Sequence, residues 1–361
     1  MGLEVPATVS EMEFKPKLVE YHFARALAIF WPFFEKTLHE QRIITFNRTF
    51  LLLGNENTNT LTKHFDLAAS AYLHVFIDEF QDISPQIVAW VKTMQTRLTS
   101  LQPSSPISIM AIGDDWQSIY GWRGSTPDFF INFDNHFPIH PSLGGAASCH
   151  LVENFRSVKE IVDDAEKLLQ NVHLKTDKKT ISLVSPKKGD HGVHLFHCDD
   201  FSHDNLRLIA DIIMEQYALA KRTPLNKIEI LVMSRTNDLL EQIRSIIGKK
   251  NGLSYHTYHS AKGLQGNVAI MLDDCCYNVG NLFRNQVYKI SNLFGHDYTY
   301  DDAMKDEAFR LAYVGITRGM RRVFWITSNN ESCASSASIK MGATIKPLTD
   351  VRNNEHHPSD L

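Results

Sequence analysis

Tyr72-Leu-His-Val-Phe-Ile-Asp-Glu-Phe-Gln-Asp-Ile-Ser-Pro85 is an apolar run that ends in acid and passes at once into a helix-start signal. A short, mostly apolar run of this kind predicts a buried parallel strand. Ser84 and Pro85 supply an N-cap and a first-turn proline, and Ile87, Val88, Val91 and Leu98 follow at helical spacing. The order strand, acidic loop, helix then recurs. Residues 106–112 are apolar and β-branched and stop at Gly113-Asp-Asp115, and after a glycine-rich connector at 143–148 a third short strand is expected at 150–152. Ser157-Val-Lys-Glu160 has the form of a capping box, with Ile161, Val162, Ala165, Leu168 and Leu169 on one helix face. Further downstream, strands are predicted at 193–197, 228–233, 268–272 and 323–327, alternating with helices at 206–217, 239–247 and 306–313. Such alternation predicts an α/β protein with mostly parallel sheets flanked by helices.

Upstream, residues 17–41 place Leu18, Val19, Ala26, Leu27 and Phe30 at helical spacing, and Pro32 is expected to kink or end that helix. Residues 54–60 form a polar loop, and the Ser-, Asn- and His-rich stretch beyond Asn329 reads as a loose tail. The expected organisation is therefore a first domain at 1–145, a second at 146–330 and a flexible tail at 331–361.

The 361 residues carry 37 Lys plus Arg against 41 Asp plus Glu, a formal charge of −4, which excludes a uniformly basic coat. With 43% hydrophobic and 22% charged residues the composition is that of a globular chain. No run approaches the ~20 apolar residues of a membrane span, and the amino terminus lacks the basic and apolar regions of an export signal, so a cytoplasmic location is expected. Five cysteines without a C-x-x-C pair indicate neither a disulfide framework nor a zinc site. His191, His194 and His197 recur every third residue, but nothing completes a four-ligand set, and core or surface histidines are the better reading.

Ligand chemistry in open α/β sheets gathers beyond the carboxyl ends of the strands. Asp78-Glu79 sits at one such end, where one carboxylate can hold hydrated Mg²⁺ and the other can polarise an attacking water. The loop after the second strand combines Trp116, Tyr120 and Trp122 with Arg123. Aromatic rings in a loop are natural stacking partners for nucleobases, and a place in the core is the open alternative for each of them. For Asp82, Asp114 and Asp115, capping of turns or helices is an even alternative to chemistry, and Arg310, Arg321 and Arg322 read as a solvated or backbone-tracking basic face.

Five loop motifs occur in order: Ile77-Asp-Glu-Phe-Gln-Asp-Ile-Ser84, Gly113-Asp-Asp-Trp-Gln-Ser-Ile-Tyr-Gly-Trp-Arg-Gly-Ser125, Glu153-Asn-Phe-Arg-Ser157, His259-Ser-Ala-Lys-Gly-Leu-Gln265 and Leu311-Ala-Tyr-Val-Gly-Ile-Thr-Arg318. Together they resemble superfamily 1 DNA helicases of the UvrD/Rep type, nearest to helicase IV-like members, over about residues 72–327. The resemblance implies a RecA-like P-loop NTPase core and roles for individual residues. Asp78 would hold Mg²⁺, Glu79 would act as base toward water, and Gln117 would sense the γ-phosphate. Arg156 and Arg318 would be arginine fingers, Phe155 would stack on adenine, Gly263 would allow close backbone approach, and Gln265 would contact the ribose. Tyr120 and Trp122 would stack on single-stranded DNA, with Arg123, His259 and Lys262 near its backbone.

The 361 residues contain no G-x-x-x-x-G-K-[ST] phosphate loop, and Gly248-Lys249-Lys250 lacks both the spacing and the hydroxyl residue. Thr45-Phe-Asn-Arg48 stands as an eroded form of the acidic stretch that precedes the D-E strand in relatives, and Gln265 stands where many relatives carry Glu. The expectation is therefore an amino-terminally truncated helicase fragment or subunit with an incomplete first domain. It would bind single-stranded DNA and supply most of an ATP and Mg²⁺ site, with a second polypeptide providing the phosphate loop, and would not hydrolyse ATP alone. The alternative is an ATP-independent nucleic-acid-binding or regulatory module. The missing strand would leave an apolar edge beside the 108–112 strand.

Overall fold

The computed structural model describes residues 4–54, 74–101, 107–137, 144–220, 229–292, 298–328 and 333–351. The first positions of three expected strands (72–73, 106 and 228), most of the polar loop at 54–60, Leu143 and the last residues of the tail lie outside that set. The chain divides into two compact units: residues 1–149, 174–176 and 278–304, and residues 150–173, 177–277 and 305–361.

In the first unit, β1 (His74–Ile77) pairs in parallel with β2 (Ser108–Ala111), in the register His74 to Ser108 and Ile77 to Ala111. Period-two alternation assigns the faces. Val75, Ile77, Ile109 and Ala111 face the core, where Phe80, Val88, Val91, Phe129 and Phe137 are buried. Phe76 and Met110 lie on the opposite face and are 67% and 53% exposed. The expectation of a buried strand thus holds for one face only, among the described residues. The helix Pro85–Leu101 follows as predicted and covers the inner face through Val88, Val91 and Leu98.

The helix Val19–Glu40 runs through Pro32 without ending. Pro32 lies on an exposed stretch, where the carbonyl that it leaves unbonded can be hydrated. This helix is less a packing element than its apolar content implies: Ala24 is its one buried residue, while Phe23 and Phe33 are exposed. Phe23 and Phe14 pack on Phe283, from the helix Leu282–Ser291.

The second unit holds β3 (Glu153–Asn154) and β4 (Ile181–Ser182), a short parallel pair, and a six-stranded all-parallel sheet. Its strands are β5 (Val193–His197), β6 (Ile230–Ser234), β7 (Leu253–Thr257), β8 (Gly266–Leu272), β9 (Gly319–Thr327) and β10 (Ile345–Pro347), in the order β10-β5-β9-β8-β6-β7. Ile230, Leu231, Val232 and Met233 are completely buried, the continuous apolar run that a sheet covered on both faces requires. The helices His203–Ala220 and Asn237–Ile247 cover it with Leu206, Ile209, Ile213, Leu240 and Ile243.

Several expectations are corrected here. The third strand lies at Glu153–Asn154, just after the expected 150–152, because it pairs with Ile181–Ser182. The capping box does not form: the helix starts at Lys159, and the Ser157 hydroxyl donates instead to the Gly319 carbonyl at 2.6 Å. The loose tail is structured over residues 333–351: the helix Ala334–Lys340 leads to β10, which extends the sheet at β5, and Leu348 enters the core. Buried Asp274 accepts hydrogen bonds from the Ser335 amide and hydroxyl and from Thr327 Oγ1, so polar anchors order a segment poor in apolar residues. Cys276 and Cys333 form a disulfide, contrary to the reading of the cysteine count. Among the described residues, no helix is long and apolar enough to cross a membrane.

Candidate functional site

In the first unit the chemistry starts where β1 ends. Asp78 and Glu79 are both exposed. Glu79 has φ of 52°, the left-handed region that a residue with a Cβ seldom occupies, and such backbone strain concentrates at functional turns. The Asp78 Oδ1 accepts the Glu79 amide at 2.8 Å, which fixes the carboxylate at the mouth of the strand.

Gln81 is the residue that sequence reasoning passed over. It is completely buried, and its side-chain amide donates to Glu79 Oε2 at 2.5 Å while its carbonyl oxygen accepts the Asp114 amide at 3.0 Å. One side chain therefore ties the loop after β1 to the loop after β2. Gly113 makes room for it, since a Cβ there would stand 2.2 Å from Gln81 Oε1. The signal lay in the spacing Glu79-Phe-Gln81, but nothing in a single chain distinguishes that glutamine from a surface residue.

The loop after β2 continues the same network. Gln117 donates to Asp114 Oδ2 at 2.6 Å, and Asp114 also accepts the Trp116 amide. Asp115 is buried and accepts the Thr176 amide at 2.7 Å. Both aspartates thus order turns, the structural side of the alternative posed for them. Trp116 is a core ring, 4% exposed, with its indole N–H on the Thr176 carbonyl. Trp122 is 48% exposed. The Arg123 guanidinium carbon lies 4.7 Å from the Tyr120 ring centroid and 4.6 Å from that of Trp122, so the cation is held between two aromatic faces. Ser118 and Ser125 pin this loop to the Gln81 and Asp82 carbonyls.

In the second unit Asn154 Oδ1 accepts the amides of Arg156 and Ser157, both at 2.9 Å, a side-chain turn that sets the direction of Arg156. Arg156 Nε donates to Gln265 Oε1 at 2.9 Å, bringing two predicted site residues together. Phe155 projects beside them, 72% exposed. Gly263 has φ of 84° and Lys262 and His259 lie on the same turn.

Arg318 behaves otherwise. It is 1% exposed, and its guanidinium donates to the Val314 and Leu264 carbonyls and to Thr317 Oγ1. Arg310 is likewise buried and Arg321 pairs with Asp190 at 2.9 Å, so neither of these two stands on the solvated side of the solvated or backbone-tracking face expected for Arg310, Arg321 and Arg322. His191 and His194 stack with centroids 3.6 Å apart. Burial lowers both, His191 to about 4, which keeps the imidazoles neutral near pH 7.

Residues 9–138 match the model of the UvrD/REP helicase N-terminal domain. Over 275 residues the chain is 24% identical to DNA helicase IV of Escherichia coli, covering 73% of this chain and 35% of that protein. It is 33% identical over 108 residues to DNA helicase II of E. coli, covering 30% and 13%, and 35% identical over 97 residues to the putative ATP-dependent DNA helicase YjcD of Bacillus subtilis, covering 27% and 11%. The matched stretches thus span about a third of helicase IV and little more than a tenth of the other two. Over these stretches the chain is similar to UvrD/Rep-type helicases.

Proposed function

We propose that the chain is a UvrD/Rep-like DNA helicase component with a RecA-like core, which binds single-stranded DNA on the Tyr120–Arg123 loop and carries part of an ATP hydrolysis site. The observation that carries this reading is Arg123 held between Tyr120 and a half-exposed Trp122, on a loop that Asp114 and Gln81 connect to the Asp78-Glu79 carboxylates. A stacked cation beside an open indole offers one group for a phosphate and one for a base.

The donor set at the end of β1 fits a hydrated magnesium ion, because Asp78 is exposed and turned by the Glu79 amide. Mg²⁺, when bound, would neutralise charge on the phosphates. Glu79, hydrogen-bonded by Gln81, would take a proton from water, and Gln117, on Asp114, would link that end to the DNA loop. Phe155 offers a face to adenine, Arg156 a planar fork to phosphate, and Gln265 orients Arg156. Gly263 permits close backbone approach, and His259 and Lys262 add polar contacts to the DNA strand. The phosphate-cradling amides and lysine would come from outside these 361 residues, which contain no such loop, and a second polypeptide is one source of them.

A second reading, an ATP-independent nucleic-acid-binding module, is favoured by one observation: the Arg318 guanidinium is buried against carbonyls of its own unit. Anisotropy titrations of a fluorescein-labelled oligodeoxythymidylate, with and without ATP and Mg²⁺, separate the two. A shift in affinity that Arg318→Ala abolishes supports the nucleotide site. Affinity indifferent to nucleotide supports the module, and absence of binding contradicts both.

A further inference from the structure

Cys276 and Cys333 are 57 residues apart in sequence, yet their backbones form an antiparallel bridge with Cα atoms 4.1 Å apart, at the point where the carboxy-terminal segment joins the second unit. We propose that this pair is a reversible thiol–disulfide site that governs docking of residues 333–351 onto the sheet, independently of the DNA-binding reading.

Three observations converge on it. Cys333 is the residue before the helix Ala334–Lys340, so the bond fastens the segment at its start. The other anchors are non-covalent: Ser335 on Asp274, the Ala334 amide on the Cys275 carbonyl, the Asn171 side chain on Met341, three residues of β10 beside β5, and Leu348 in the core. The two sulfurs also differ in access, Cys333 being 3% exposed and Cys276 only partly buried. Cys275, directly adjacent, is completely buried and takes no part. Asp274, Cys276 and Cys333 bring ligand atoms within 4.8 Å of one another, but the carboxylate is engaged by Ser335 and Thr327 and the Cys276 carbonyl accepts Arg235, surroundings that suit a covalent link better than a cation.

The oxidant is a low-molecular-weight disulfide such as glutathione disulfide. The accessible Cys276 thiolate attacks one of its sulfurs and expels one thiolate. The Cys333 thiolate then attacks the Cys276 sulfur of the mixed disulfide and expels the second. Two cysteine thiols are oxidised, one external disulfide is reduced to two thiols, and the two cysteine protons pass to them. Reduction reverses both steps and leaves the segment held by its non-covalent anchors alone.

The full chain, equilibrated in glutathione disulfide or in reduced glutathione, is digested briefly with trypsin, and cleavage after exposed Lys340 is followed by mass spectrometry. The proposal expects a Cys276–Cys333 cross-linked peptide in the oxidised sample and cleavage roughly tenfold faster in the reduced one. Cys333→Ser and Cys276→Ser should each cleave at the reduced rate whatever the buffer. Absence of the cross-linked peptide, or equal cleavage rates with the cross-link present, overturns the proposal.

Discussion

Glu79 adopts a left-handed backbone at the mouth of β1, and the buried amide of Gln81 holds its carboxylate. That arrangement depends on a glycine at position 113. Gly113→Ala should push Gln81 off both the Glu79 carboxylate and the Asp114 amide, leaving buried polar groups unsatisfied. The expected loss is about 1–3 kcal/mol, read from urea unfolding midpoints, and an unchanged midpoint would contradict the role of the clamp. A second residue-scale prediction concerns Arg156 and Gln265. Gln265→Glu should convert a neutral acceptor into a charge-assisted one. Because Gln265 is exposed, the gain is small, about 0.2–1 kcal/mol, and a double-mutant cycle with Arg156→Ala should recover it as a coupling energy.

At the scale of elements, β6 and β8 were legible because the runs Ile230–Met233 and Val268–Leu272 are apolar throughout. Leu253-Ser-Tyr-His-Thr257 carries too few apolar residues to announce β7, which closes one end of the sheet with side chains that are mostly half-buried. Residues 333–351 defeated composition for a different reason: their order comes from a buried carboxylate and a disulfide, partners far away in sequence. Asp78, Glu79 and Trp122 could be singled out because chemistry demands their residue types at strand ends and in loops, and Arg156 through the resemblance of its motif, whereas Gln81 gains its role only from two loops meeting. Stacked His191 and His194, at the start of β5, give this scale its prediction. With the folded His191 pKa lowered to about 4 from the ordinary 6.5, its neutral form contributes stability fully above pH 6.5. Below that the unfolded chain binds the proton more readily, so stability should fall as pH drops from 6.5 toward 4. His191→Phe should flatten that slope in urea titrations across this window, and a slope unaltered by the substitution would assign it elsewhere.

For the whole molecule, a net charge of −4 is compatible with nucleic-acid binding because stacking and a local cation act only where the strand runs. Each unit carries its own share of the proposed chemistry, the first with Asp78, Glu79, Gln117 and the Tyr120–Arg123 loop, the second with Phe155, Arg156 and Gln265. The central claim is that the half-exposed indole of Trp122 is a base-stacking platform. The most direct measurement is the dissociation constant for a labelled oligodeoxythymidylate, compared between the unaltered chain and Trp122→Ala at one salt concentration. Loss of ~1–3 kcal/mol, roughly a 5- to 150-fold weakening with unchanged thermal stability, is the predicted result. Equal affinity of the two proteins would contradict it.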